Sequence, residues 1–385
     1  MNKYLPYGKQ SIEEDDLKAV QETLKSDWLT TGPKVEQFEK AICDFTGSKF
    51  AVAVNSGTAA LHSSLFALDI KKGDEVIVPS MTFASTANAV VFQGGTPVFA
   101  DVNQSDLLIN PNKVEEKINE STRAIIAVDY AGHPADYNKL KKIAKNNKLH
   151  LIADACHAIG GKFYKKNVGE LADLSTFSFH PVKHITTGEG GAITTNNDNY
   201  YRRMKFFRNH GITTDHRERE KNKSWFYEMI DLGYNYRISD IQCALGISQL
   251  KKLSSWIKKR QEIAKQYDAA FKDIQLIKPL LVDSNVSHAY HLYVVRINFS
   301  ETVIDRATLF KELKKQKIGV NVHYIPVHLH PYYKNNFNTK NGDCPVAEFA
   351  YEQIISLPIF PSMSDNDVIR VSTSLIDLLK WDTIL

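Results

Sequence analysis

Between residues 50 and 195 short apolar runs alternate with longer segments of mixed character. The runs are FAVAV, EVIVP, TPVFAD, AIIAVDY, LHLIAD, STFSF and GAITT. AALHSSLFAL, TFASTANAVVFQG and DYNKLKKIAKNNK carry helical patterns between them. Apolar strands separated by helices predict an α/β fold: a mostly parallel sheet sandwiched by helices. In such sheets ligands bind beyond the carboxyl ends of the strands, so polar residues there become candidates for chemistry.

The flanks read differently. SIEEDDLKAVQETL is an amphipathic helix with a capping-box start at Ser11 and Glu14. The next helix puts Val35, Phe38 and Ile42 on one face. The loop between them, LTTGP, is either a connector or, through Thr30, Thr31 and Gly32, part of a ligand cleft. Residues 212–236 are charged, then aromatic, without a clear period, and read as a long loop of the kind that is usually functional or mobile. A long helical pattern comes next, capped by Ser239 and Gln242. Beyond it come strands in AYHLYVVRINF and IGVNVHYIPV and helices in ATLFKELKKQ and VAEFAYEQII. The expected division is a large domain over 1–250, including the N-terminal helical segment, and a small C-terminal α/β domain over 251–385.

Composition narrows the class without naming it. With 43% hydrophobic and 24% charged residues, the chain is an ordinary globular protein. The net charge of +4 comes from scattered basic residues, which gives no nucleic-acid footprint. Cys43, Cys156, Cys243 and Cys344 are far apart and lack paired metal spacing, and a cytoplasmic setting is the simplest expectation. MNKYLPYGKQSIEEDD has no apolar signal core, and no membrane span is expected.

Three motifs fall at predicted strand ends. In VNSGTAAL a strand ends in Asn-Ser-Gly-Thr and enters a helix, so Gly57 and Thr58 serve either as a plain cap and turn or as a phosphate cradle. In LIADACHAIGG, Asp154 closes an apolar strand, where a carboxylate either caps the next segment or meets a cationic partner such as a protonated pyridine nitrogen; His157 could aim at the same ligand. In LSTFSFHPVKHITTGEGGAITT, Lys183 follows a strand and precedes a Gly-Glu-Gly-Gly turn. It is either a surface charge or a nucleophile, and Ser178 just before it suits a phosphate. Taken together, a phosphate anchor, an acid for a pyridine nitrogen and an amine for a Schiff base match the needs of pyridoxal 5'-phosphate (PLP). VHYIPVHLHPYY offers His323, His328 and His330, but with no carboxylate or cysteine at ligand spacing no metal is expected. Its aromatics either contact substrate or pack the two domains together.

NSGTAAL, TFASTANAV, IADACHAIGG, FSFHPVKHITTGEGGAITTN, GYNYRISDIQCALG and VHYIPVH, in that order across nearly the whole chain, resemble the sugar aminotransferases of the DegT/StrS type, which are fold-type I PLP enzymes. FSFHPVKHITTGEGG looks particularly like the transaminases of pseudaminic acid biosynthesis. The resemblance implies that Lys183 binds the cofactor as a Schiff base and then moves the proton, and that Asp154 pairs with the pyridine nitrogen. It further implies that His157 lies by the phenolic oxygen, that Gly57, Thr58 and Ser178 hold the phosphate, and that Phe83 stacks on the ring. Asn235 is implied to reach the phosphate in the other subunit of a homodimer, while Thr30, His323 and Tyr324 would contact substrate. The reaction implied is amino transfer from glutamate to C4 of a UDP-linked 4-keto-6-deoxy-N-acetylhexosamine. Related ketosugars of the bacillosamine, perosamine and 4-amino-arabinose routes, and a PLP-binding regulatory protein, are the alternatives. Lys183 stands where some relatives carry a histidine and act as dehydratases, which favours transamination.

Overall fold

The computed structural model describes residues 3–214 and 216–380. Two helices open the chain, α1 (Glu14–Leu24) and α2 (Pro33–Thr46). Then strands and helices alternate: β1 (Phe50–Val54), α3 (Gly57–Ala67), β2 (Glu75–Pro79), α4 (Ala84–Phe92), β3 (Thr96–Ala100) and β4 (Thr122–Val128). Helix α5 (Tyr137–Asn147), β5 (His150–Asp154), β6 (Leu174–Ser178) and β7 (Gly191–Thr195) complete a seven-stranded sheet. Its order is β1-β7-β6-β5-β4-β2-β3, and β7 alone runs against the others.

Alternation along each strand feeds two cores. Val52 and Val54 of β1 belong to one apolar cluster and Ala51 and Ala53 to the other; β4 divides Ile126 and Val128 from Ile125 and Ala127 in the same way. Both sheet faces are therefore buried, as the apolar runs predict.

The long helix α6 (Asp240–Phe271) contributes to two apolar cores. Leu250, Leu253, Trp256 and Ile257 pack on the large sheet, whereas Ile263, Ala264, Tyr267 and Phe271 pack in a third core. That core is closed by the strands β8 (Ile277–Pro279), β9 (Tyr293–Ile297) and β10 (Ile354–Leu357), paired antiparallel with β9 central, and by the helices α7 (Arg306–Lys315) and α9 (Asp365–Lys380). The predicted cap of α6 is present: Ser239 Oγ accepts from Gln242 N at 3.2 Å, and Gln242 Oε1 accepts from Ser239 N at 3.0 Å. Among the described residues no helix is long and apolar enough to cross a membrane.

Three local expectations are corrected. The box that starts α1 uses Glu13 and Asp16, not Ser11 and Glu14: Asp16 Oδ2 accepts from Glu13 N at 3.0 Å. Ser11 is engaged elsewhere, its carbonyl accepting from Gln249 Nε2 of α6 at 2.9 Å. IGVNVHYIPV is not a strand. Asn321 and Ser356 exchange two backbone bonds, but Val322 N turns to the Asn321 side chain at 2.8 Å and the ladder stops. In VAEFAYEQII the helix α8 (Pro345–Tyr351) ends early, because Ile354 and Ile355 are drawn into β10.

Candidate active site

The carboxyl ends of β1, β2, β4, β5 and β6 open on one cavity of about 500 Å³. Its lining includes Gly57, Thr58, Phe83, Asp154, His157, Ser178, Lys183, His323 and Tyr324. The sheet register explains the convergence. Val128 stands beside Asp154 on neighbouring strands, and Val54 and Ser178 flank Gly191 of the reversed strand. A side chain at Gly191 would put its Cβ 2.4 Å from the Ser56 carbonyl oxygen, so the turn into α3 requires glycine there.

Asp154 is buried with two hydrogen-bond partners, Thr86 Oγ1 at 2.7 Å and Cys156 N at 3.3 Å. Neither partner is charged, so the carboxylate retains capacity for a cation. Thr86 is itself steadied by Thr82 Oγ1 at 2.8 Å.

Lys183 sits in a loop tied down at both ends. Phe179 N donates to Gly190 O at 2.9 Å and Thr187 N to Phe179 O at 3.0 Å. Lys183 N donates to His180 O at 2.9 Å, and Gln242 of α6 reaches Glu189 O at 2.6 Å. Burial holds the lysine amine below its ordinary 10.5, with Cys156 and Asp154 opposing the shift only in part. A lowered amine pKa leaves more of the neutral form, which is the nucleophile and the proton acceptor.

At the start of α3, Ser56 Oγ accepts from Ala59 N at 3.1 Å, while the N–H groups of Gly57 and Thr58 have no partner within the helix. The space above Gly57 is narrow: a Cβ there would lie 2.9 Å from Ser178 Cβ and 3.2 Å from Cys156 Sγ. A glycine cradle, two helix N–H groups and the Ser178 hydroxyl form a donor set for a phosphate.

His157 is buried, with Nε2 3.1 Å from the Tyr324 hydroxyl and Nδ1 without a protein partner. Burial first, then the Lys183 charge, pushes its pKa well down, so the ring is neutral. Phe83 is exposed at the cavity mouth, with its ring centroid 5.8 Å from that of Tyr324. His323 hydrogen-bonds Ser356 Oγ at 2.8 Å and Asn321 Nδ2 at 3.2 Å, and burial pushes it down to about 3. His328 is occupied by Ser80 Oγ at 2.7 Å and Glu348 at 2.9 Å.

Two of the predicted residues are not brought to this cavity within the chain. Thr30 is exposed and bridges Ser239, and Asn235 is exposed with its carbonyl accepting from Asn55 Nδ2 at 3.2 Å. Conversely, Tyr7, Cys156, His291 and Asn321 line the cavity without having stood out in the sequence. Tyr7 arrives because the N-terminal segment lies along the third core: Leu5 is buried in it, Leu5 N donates to Lys317 O at 2.9 Å, and Ile359 N donates to Tyr7 O at 3.1 Å. The Tyr/Pro/Gly opening signals an extended segment, but nothing local signals its destination.

PLP fits these residues: Asp154 has a carboxylate without a cationic partner, the Gly57 cradle suits the phosphate, and the Lys183 amine is desolvated. Bound there, PLP supplies an electron sink beside the carbon that exchanges its proton. Asp154 would hold the pyridine nitrogen protonated, the α3 N-terminus and Ser178 would anchor the phosphate, and Lys183 would carry the proton between donor and acceptor atoms.

Comparison with known proteins agrees. The model of the DegT/DnrJ/EryC1/StrS aminotransferase family matches residues 10–376. An uncharacterised protein of Methanocaldococcus jannaschii is 46% identical, with 96% of each chain covered. The spore coat polysaccharide biosynthesis protein SpsC of Bacillus subtilis is 41% identical, with 98% of each covered. Among solved structures, Helicobacter pylori PseC, an aminotransferase of pseudaminic acid biosynthesis, superposes with a TM-score of 0.91 at 34% identity, covering 98% of this chain and 100% of its own. The PLP form of a putative sugar aminotransferase from Streptococcus pneumoniae superposes at 0.91 with 30% identity, covering 98% and 99%. The chain belongs to the DegT/DnrJ/EryC1/StrS family and is a PLP-dependent sugar aminotransferase.

Proposed function

We propose that this enzyme transfers an amino group from glutamate to C4 of a UDP-linked 4-keto-6-deoxy-N-acetylhexosamine, the step that serves pseudaminic acid synthesis. The observation that carries this reading is the Lys183 stretch, FSFHPVKHITTGEGG, together with the likeness to PseC over nearly the whole chain. Lys183 and Asp154 act on the reaction, and His157, Ser178, Gly57, Thr58 and Phe83 hold the cofactor. His323 and Tyr324 face the substrate side of the same cavity, where Tyr7 and Asn321 add neutral hydrogen-bonding groups suited to a sugar.

A homodimer accords with the exposed run Trp225, Phe226, Tyr227, Met229, Ile230 and Leu232, an apolar surface larger than scattered single residues make. Asn235 comes directly after this run, so a partner subunit seated there would receive Asn235, and Thr30, which bridges Ser239 nearby, at its own cavity. A cytoplasmic location accords with the unpaired Cys43, Cys156, Cys243 and Cys344.

The 41% identity to SpsC favours a second reading, in which the acceptor is another nucleotide-linked ketosugar feeding a surface polysaccharide. The test is a panel of UDP-, GDP- and dTDP-linked 3- and 4-keto sugars offered to the enzyme with glutamate, with products identified by mass spectrometry. Amination of the UDP-4-keto-6-deoxy-N-acetylhexosamine supports the first reading. Turnover confined to a dTDP-linked or 3-keto sugar overturns it.

A further inference from the structure

Behind His157 lie two imidazoles that the proposed reaction does not use, those of His184 and His291. His157, His184 and His291 are all buried, at 5%, 3% and 5% exposure. The His291 ring lies on the His157 ring with centroids 4.3 Å apart and planes tilted by 39°, and His184 stands 5.6 Å from His291. Nδ1 of all three lacks a protein partner. His184 is the residue after Lys183, and its Nε2 donates to Ala289 O at 3.0 Å, so the lysine loop and the 288–292 segment are joined at this point.

The backbone that presents His291 is pinned from two sides. Ala289 N donates to Gly132 O at 2.9 Å and Leu292 N to Ala131 O at 3.1 Å, which fixes it to the large domain. Arg260 of α6 donates to Tyr290 O at 3.0 Å and to Ile359 O at 2.9 Å, which fixes it to the small one. His157, by contrast, has one side-chain hydrogen bond, to Tyr324. A ring held through a single nitrogen can swing about that contact unless a face is covered, and His291 covers one.

Charge points the same way. The groups facing His291 are His157, Lys183, His184 and Arg260, all of them cationic or basic, and burial is the first cause of its lowered pKa. His157 and His184 are lowered for the same reason. The three rings are thus neutral, and the stack is an aromatic contact of neutral rings rather than a cluster of repelling cations.

We propose that His291 is a positioning residue for His157, fixing the ring that borders the cofactor by stacking on its face. The proposal rests on the reading that His157 lies at the cofactor's edge. It is tested by titrating the visible absorbance of bound PLP against pH in the parent enzyme, His291→Ala and His291→Phe. The alanine variant is expected to move the midpoint by about 0.5 pH unit or more. The phenylalanine variant, which keeps a ring over His157, is expected to bring the midpoint most of the way back to the parent's. Should His291→Ala not fold, His291→Gln, which removes the ring while keeping polar bulk, takes its place. A folded ring-less variant with the parental midpoint, or a phenylalanine variant displaced as far as alanine, overturns the proposal. Failure of the parent enzyme to show any cofactor band would instead count against the cofactor site itself.

Discussion

Lys183 owes its chemistry to where its amine is held. Burial lowers its pKa from 10.5, since a desolvated ammonium is disfavoured; Asp154 and Cys156 pull the other way but do not cancel the effect. The sign gives a pH prediction. Capture of PLP by the cofactor-free enzyme should accelerate as pH rises and the amine loses its proton, and should level off at a lower pH than an ordinary lysine allows. Stopped-flow absorbance over a pH series checks this, and a rate still climbing past pH 10.5 would refute the lowered amine. Lys183 and Asp154 are legible in the sequence because each terminates or follows a predicted strand, and the strand-end rule depends only on local pattern. Tyr7, Asn321 and His291 are not, because they reach the cavity through contacts between segments far apart in the chain, such as Leu5 with Lys317 and Leu292 with Ala131.

At the scale of elements, the start of α3 is where fold and function meet. The helix must begin close under β6 for its first N–H groups to face the cavity, and Gly57 permits that approach. Gly57→Ala should lower the melting temperature by a few degrees, because the new Cβ would lie 2.9 Å from Ser178 Cβ and the helix start must shift to admit it, and should weaken PLP binding about tenfold, or ~1.4 kcal/mol. A titration of absorbance against added PLP measures it, and parental affinity would show that the cradle is looser than its geometry indicates. The strands and helices from β1 to β7 are readable because apolar run length and spacing decide them. The start of α1 is harder to place because two acidic residues, Glu13 and Asp16, can form the box that Ser11 and Glu14 suggest, and Asp16 also meets Gln249 Nε2 at 2.6 Å and Lys252 at 2.8 Å. Tertiary contacts choose between two locally similar caps. The segment 318–326 looks like a strand by its branched residues, yet its neighbours bridge it at two isolated points, Leu5 at Ile318 and Ser356 at Asn321, and no continuous ladder forms.

For the whole molecule, the single chain assembles one cavity from the strand ends of the large sheet, the 321–324 segment and Tyr7 of the N-terminal segment, and the proposed reading gives the first to the cofactor and the others to the sugar. Asn235 and Thr30 lie outside it, which is what the proposed dimer requires of residues that serve a partner. Leu232, 69% exposed within the apolar run, is the place to test the assembly. Leu232→Glu should shift sedimentation from dimer toward monomer and reduce PLP retention in parallel; a monomeric parent enzyme, or a variant that dimerises as the parent does, would contradict the shared site. The central claim, that Lys183 works an aminotransferase site, is tested most directly by adding glutamate to the PLP-loaded enzyme and following cofactor absorbance and 2-oxoglutarate together. The account predicts that the absorbance band falls as 2-oxoglutarate appears in equal amount, and that Lys183→Ala slows this by at least about a thousandfold. An unchanged band with no 2-oxoglutarate, or parental turnover in Lys183→Ala, would contradict it.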